Sequence, residues 1–166
     1  MTGAPADRAA HSLDEIRLRV PATTEHLAVA RLFGAGAARH FGGTADDVED
    51  LRLAVSEACT MAMQAARSPG VLEVAVWPTQ GGVTACVRTE PPGNDGRQGD
   101  GATAGAIVHD LFNGWAADLL RAMVVSLRVE PDPDGQVTLT FVFDLDANGD
   151  GAHGDTAAST HDVTGG

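Results

Sequence analysis

The stretch at residues 44–66, TADDVEDLRLAVSEACTMAMQAA, constrains the fold of this chain more than any other. Thr44 followed three residues later by Asp47 predicts a capping box, in which each residue satisfies an otherwise orphaned backbone N–H of the other. Val48, Leu51, Ala54, Val55, Ala58, Ala62 and Ala65 then recur at the spacing of one helical face. By the usual rise per turn this predicts a helix of about six turns. At roughly 100° per residue, Glu57 and Met61 are stacked neighbours on the border of that apolar face, where a side chain looks into a cleft.

The flanking segments predict what this helix packs on. Residues 15–20, EIRLRV, alternate polar and apolar, the period of a half-buried strand, and Pro21 closes it. Thr23 or Thr24 caps a helix running to about Phe41, with Leu27, Ala30, Phe33 and Ala37 on one face. Gly34 and Gly36 inside it each cost about 1 kcal/mol relative to Ala, which implies either a frayed second half or the close approach of another backbone. The Gly42-Gly43 pair stops the helix. Residues 71–77 and 83–88 predict a hairpin around the turn-rich 78–82, its alternation that of an antiparallel sheet with one covered face. Residues 89–105 form a glycine-rich loop without hydrophobic period, of a length that suits a lid, a binding loop or a disordered segment. Residues 106–123 read as helix, with a break around Asn113-Gly114 and with Leu111, Phe112, Trp115, Leu119, Leu120 and Met123 as candidate core. Residues 124–129 and 137–143 follow as a second hairpin across PDPDGQ. The fold class is therefore α/β: a two-layer sandwich with helices on one face of a mixed, mostly antiparallel sheet. One domain is expected over 14–146, with disordered tails at 1–13 and 147–166, which are small, polar and aperiodic. The two tail histidines, His153 and His161, lie among glycines and read as solvated.

The run DLRLAVSEACTMAM resembles the helix that carries the Glu and Asn of the GHKL (Bergerat-type) ATPases, specifically their anti-sigma-factor serine/threonine kinase branch. In that branch the Glu is the catalytic carboxylate and an Asn four residues on holds Mg²⁺. The resemblance places these roles at Glu57 and Met61. A thioether is a soft ligand and Mg²⁺ demands hard oxygen donors, so Met61 does not substitute for the Asn. The family's second motif, Asp-x-Gly-x-Gly, maps onto Thr89-Glu90-Pro91-Pro92-Gly93. Thr89 lacks the charge of the Asp that accepts from the adenine amino group, Pro91 has no N–H, and only Gly93 matches outright. The phosphate-wrapping Gly-x-Gly has its nearest counterpart in Gly114-Trp115-Ala116. The resemblance thus implies weak nucleotide contacts from Glu57, Met61, Thr89 and Gly93, and no tightly bound cofactor, with ATP and Mg²⁺ bound weakly if at all.

Charge narrows the partners. A formal net charge of −12 repels nucleic acid and anionic membranes and favours proteins with basic patches. No run approaches the ~18 apolar residues of a membrane span and no signal peptide is legible, which implies a cytoplasmic protein. Cys59 and Cys86 lack metal-ligand spacing and read as buried small hydrophobes. With the resemblance, these features imply an anti-sigma factor that sequesters a sigma factor and is relieved by an anti-anti-sigma antagonist. The alternative is an active serine kinase that phosphorylates the antagonist with ATP, using Glu57 as general base. Homodimerisation stays open.

Overall fold

The computed structural model describes residues 14–66, 70–91, 114–131 and 136–145. Their elements, in chain order, are β1 (Ile16–Pro21), α1 (Leu27–His40), α2 (Ala45–Ala65), β2 (Val71–Thr79), β3 (Gly82–Glu90), α3 (Trp115–Met123), β4 (Ser126–Pro131) and β5 (Val137–Asp144). The strands form one sheet in the order β1-β2-β3-β5-β4, and every pairing is antiparallel. One face of that sheet carries Leu72, Val74, Val76, Val83, Ala85, Val87, Leu139 and Phe141 into a core shared with α1, α2 and α3. The expected two-layer sandwich is what forms. The expected loop starts later than residue 89, because Thr89 and Glu90 pair with Leu72 and Val71 and extend β3; residues 92–105 of it, residues 106–113 of the expected helix and both expected tails lie outside the described residues.

Helix α2 is the centre of the helical layer because it is both well started and broadly apolar. Thr44 Oγ1 accepts from the Asp47 amide at 3.3 Å while Asp47 Oδ2 accepts from the Thr44 amide at 2.7 Å, so the predicted capping box is present. All seven residues of the predicted stripe are buried, along with Ser56, Cys59 and Met61. Burying a side chain such as Leu51 stabilises the fold by about 1.5–3 kcal/mol. α2 lies over β2, β3 and β5, with α1 along one flank and α3 along the other.

The two glycines of α1 have opposite surroundings. A Cβ on Gly34 would stand 3.1 Å from the Leu51 carbonyl oxygen and 3.1 Å from Val55 Cβ, whereas one on Gly36 would meet nothing within 4 Å. Close helix approach, rather than fraying, therefore accounts for Gly34. Ala30, Ala35, Ala37 and Ala38 are buried beside it, and these short side chains let α1 settle onto α2 and the sheet. Upstream, Thr24–His26 forms a single 3-10 turn before α1 begins, and the Thr23 hydroxyl meets His26 Nδ1 at 2.8 Å instead of capping the helix. Gly42, at φ 86°, takes the left-handed turn that ends α1.

Three expectations change in the structure. The first hairpin is tighter than its turn residues suggest: Pro78, Thr79 and Gly82 are paired, leaving Gln80 and Gly81 as the turn, with Gly81 at φ 82°. β4 begins two residues late, at Ser126, because its ladder pairs Ser126 with Val142 and ends with Pro131 opposite Val137. Trp115, expected in the core, is 77% exposed on the first turn of α3, and Trp77 is half-buried.

The face of the sheet turned away from the helices is not simply solvated. Glu73 and Ala75 project there from β2, yet only 4% of Glu73 is exposed. Arg17 Nη1 and Arg88 Nε donate to Glu73 Oε1 at 3.1 and 3.0 Å, and Arg19 Nε lies 3.4 Å from Oε2. Arg17 also pairs with Glu15, and Arg19 and Arg88 with Glu90. Among the described residues, three guanidinium groups fold over this one carboxylate. The hydrogen bond to Glu15 is the first cause that holds the Arg17 guanidinium above its usual pKa.

Candidate functional site

The residues singled out by sequence come from α2, the end of β3 and the start of α3. Glu57 is half-buried on α2, at the border of the apolar face as expected. Met61, one turn on, is buried within the core cluster. Met63 is partly buried, and Leu53 points outward, 40% exposed. The position that the resemblance assigns to a metal ligand is thus filled by an apolar side chain inside the core. Among the described residues, no three His, Cys, Asp or Glu side chains converge to hold a metal ion. A thioether in the core and a lone carboxylate do not fit Mg²⁺, which binds through hard oxygens and retained waters.

Thr89 sits on the helix-facing side of β3, in phase with Val83, Ala85 and Val87, and is buried. The register explains its partner. Arg88 pairs with Thr138 on β5, so the next residue of β3 meets the chain entering β5. There the Thr89 hydroxyl donates to Gln136 Oε1 at 2.7 Å, with both side chains buried. The hydroxyl proton that a base could have received is committed inside the protein, and the carboxylate that would accept from an adenine amino group is absent. Gln136 was missed by the sequence reading. The signal available was only its place in the sequence, directly before the apolar alternation of β5.

Gly114 is the N-cap of α3, in extended conformation at φ −87°, ψ 157°, and its carbonyl accepts from the Ala117 and Asp118 amides at 3.0 and 3.2 Å. The break anticipated at Asn113-Gly114 therefore coincides with a helix start. Asp118 lies in the first turn and is bonded by Arg121 at 3.1 Å. A carboxylate there suits the positive end of the helix and opposes a phosphate in the same place. Gly93 lies outside the described residues.

Two further groups near Glu57 carry no chemistry of their own. Ser56 is buried and its hydroxyl accepts from Arg31 Nε at 2.8 Å, a link from α2 to α1. Cys59 is buried and burial pushes its thiol up to about 12, which removes the thiolate at neutral pH. Cys86 is half-buried on the open sheet face and is also raised, by burial first, against a hydrogen bond with Thr140. Both cysteines are free.

The family model of the histidine kinase-like ATPase domain matches residues 20–141, from the end of β1 into β5. The chain belongs to this family. Among curated proteins it is similar to the serine-protein kinase RsbW of Bacillus thuringiensis strain Al Hakam, 41% identical over 63 residues, which is 38% of this chain and 39% of that protein. It is also similar to the serine-protein kinase RsbW of Bacillus velezensis, 49% identical over 53 residues, 32% of this chain and 33% of that protein. The matched stretch thus spans well under half of these relatives. The matched residues take in α2 and the β2–β3 hairpin. In this chain, that scaffold stands with Met61 in the core and Thr89 bonded to Gln136. No described helix is long and apolar enough to cross a membrane.

Proposed function

We propose that this chain is an anti-sigma factor that acts by binding: it sequesters a sigma factor and is relieved by an anti-anti-sigma protein that competes for it. The observation that carries this reading is Met61, buried in the core at the position where the resemblance expects the metal-holding Asn, in a chain that matches the family over residues 20–141. Phosphoryl transfer is almost entirely positioning and charge neutralisation around the transferred phosphate, so a fold that loses its metal ligand and its base acceptor loses the reaction first. The binding surface is under no such demand. Glu57, Met61, Thr89 and Gly93 are then remnants of a nucleotide site that holds ATP weakly. The acidic surface supports a partner with basic patches and speeds its encounter at low salt.

The second reading is an active serine kinase that phosphorylates the antagonist. Two observations favour it: the relatives are named serine-protein kinases, and Glu57 keeps a half-exposed carboxylate on α2 with no ion-pair partner among the described residues.

The test is transcription in vitro with purified core RNA polymerase and a panel of sigma factors, with this protein added without ATP. Inhibition of one sigma factor at micromolar protein supports the binding reading. No inhibition, together with transfer of labelled phosphate from ATP to an antagonist-like protein, replaces it with the kinase reading.

A further inference from the structure

The face of α1 turned away from α2 and the sheet has a period of its own. Glu25, in the 3-10 turn that leads into α1, is followed by Val29, Leu32, Gly36 and Arg39, at successive spacings of 4, 3, 4 and 3 residues. That alternation is the seam of a coiled coil, the pattern that keeps one edge of a helix against a second helix. All five residues are exposed, Val29 by 41% and Leu32 by 72%, and a Cβ on Gly36 would meet nothing within 4 Å. The residues that α1 buries in the fold, among them Ala30, Gly34, Ala37 and Ala38, lie on the opposite side of the same helix.

Charge decides what fits this seam. It has an acid at its start and a base at its end, and among the described residues neither Glu25 nor Arg39 has an ion-pair partner. A basic partner helix would be repelled at Arg39, and an acidic one at Glu25. A second α1 laid antiparallel meets both with the opposite sign, whereas a parallel one would set Glu25 against Glu25. With Leu32 on the two-fold axis the seam is its own complement: Glu25 comes opposite Arg39 of the second copy, Val29 opposite its Gly36, and Leu32 opposite its Leu32. Gly36 supplies the gap into which the branched side chain of Val29 fits. Elsewhere a formal net charge of −12 opposes self-association, so the contact is confined to this locally balanced strip.

We infer that two copies of this chain associate through antiparallel pairing of α1, along a seam centred on Leu32. One helix from each copy buries less than the roughly 1,000 Å² that a stable interface needs, so the dimer is weak and forms at high protein concentration. The inference stands apart from the anti-sigma reading and does not rest on it.

The test is sedimentation equilibrium of the full chain from about 10 μM to about 1 mM, the range in which weak association shows. A monomer–dimer equilibrium is expected. Leu32→Ser should weaken it about tenfold or more, because the substitution removes both apolar side chains at the axis. Gly36→Leu, which fills the gap opposite Val29, should weaken it as well. Glu25→Arg and Arg39→Glu should each weaken it about threefold or more, and the double variant, in which the pair is inverted, should return to wild-type association. Thermal melts are expected to show each variant folded, since all these positions are exposed. A chain that stays monomeric at about 1 mM overturns the inference. So does a dimer unmoved by Leu32→Ser, or a double charge variant that associates no better than the single ones.

Discussion

Thr89, near the end of β3, donates its hydroxyl proton to Gln136 Oε1 at 2.7 Å, across 47 residues of chain and inside the core. Antiparallel pairing of β3 with β5 brings the two together, and the bond satisfies polar atoms that burial would otherwise leave costly.

With Met61 in the core and an uncharged hydroxyl at Thr89, ATP is expected to bind weakly and Mg²⁺ to change little. Met61→Asn alone is expected to leave nucleotide affinity unchanged and to lower stability by about 1–3 kcal/mol, since it puts an amide where the core offers a thioether its place. Calorimetry with ATP and Mg²⁺, beside a denaturant titration, measures both. Micromolar, Mg²⁺-dependent affinity in the wild type or in Met61→Asn would show that the remaining contacts suffice.

The glycines of α1 should respond in opposite directions. Gly34→Ala is expected to destabilise by about 1–3 kcal/mol, because its Cβ meets the Leu51 carbonyl at 3.1 Å, a backbone atom with little room to yield. Gly36→Ala is expected to stabilise by about 0.5–1 kcal/mol, since open space surrounds it and Ala loses less backbone entropy in a helix. Two urea titrations decide this. Equal shifts of the two variants would mean that α1 does not approach α2 as described.

Glu73 should be worth more than any of its arginines. Glu73→Ala removes the one carboxylate that Arg17, Arg19 and Arg88 share, at an expected cost of about 1–3 kcal/mol, moderated because those arginines are partly exposed and water can solvate them. Arg19→Ala, at the exposed edge of the cluster, should cost below about 1 kcal/mol. A larger loss for Arg19→Ala than for Glu73→Ala in chemical denaturation contradicts the shared-carboxylate picture.

Alkaline pH should weaken the fold through Cys59. Its thiol is raised from about 9 to about 12 by burial, so above the unfolded value the folded state holds a proton that the unfolded chain has released. The stability associated with that proton is complete below pH 9 and is lost as pH rises toward 12, by up to about 1.4 kcal/mol per pH unit. Cys86, shifted the same way, adds to the slope. Denaturant midpoints of wild type and Cys59→Ala across this range test the sign: the variant should lose less, and a parallel decline would assign the effect to other groups. Native Cys59 should also resist alkylation at neutral pH.

Local pattern alone determined much of this protein. The stripe of α2, its capping box, the alternation of the strands and the glycine stop at Gly42 are each set by residues within a turn or two of one another, where the physics has a short period that sequence displays. The central helix also carried the family, because its motif is contiguous. What the tertiary structure decided involves partners that meet only after strands register and helices cross. Gln136 became the partner of Thr89 through the pairing of β3 with β5. Glu73, in phase with a solvated face, became buried because arginines from β1 and β3 flank it. Trp115, apolar and in phase with a core stripe, became exposed because α3 begins at that residue and buries Ala117 and Leu120 instead. Gly34 and Gly36 differ by two residues and by nothing in their own chemistry; the approach of α2 to one side of α1 makes one of them necessary and the other free.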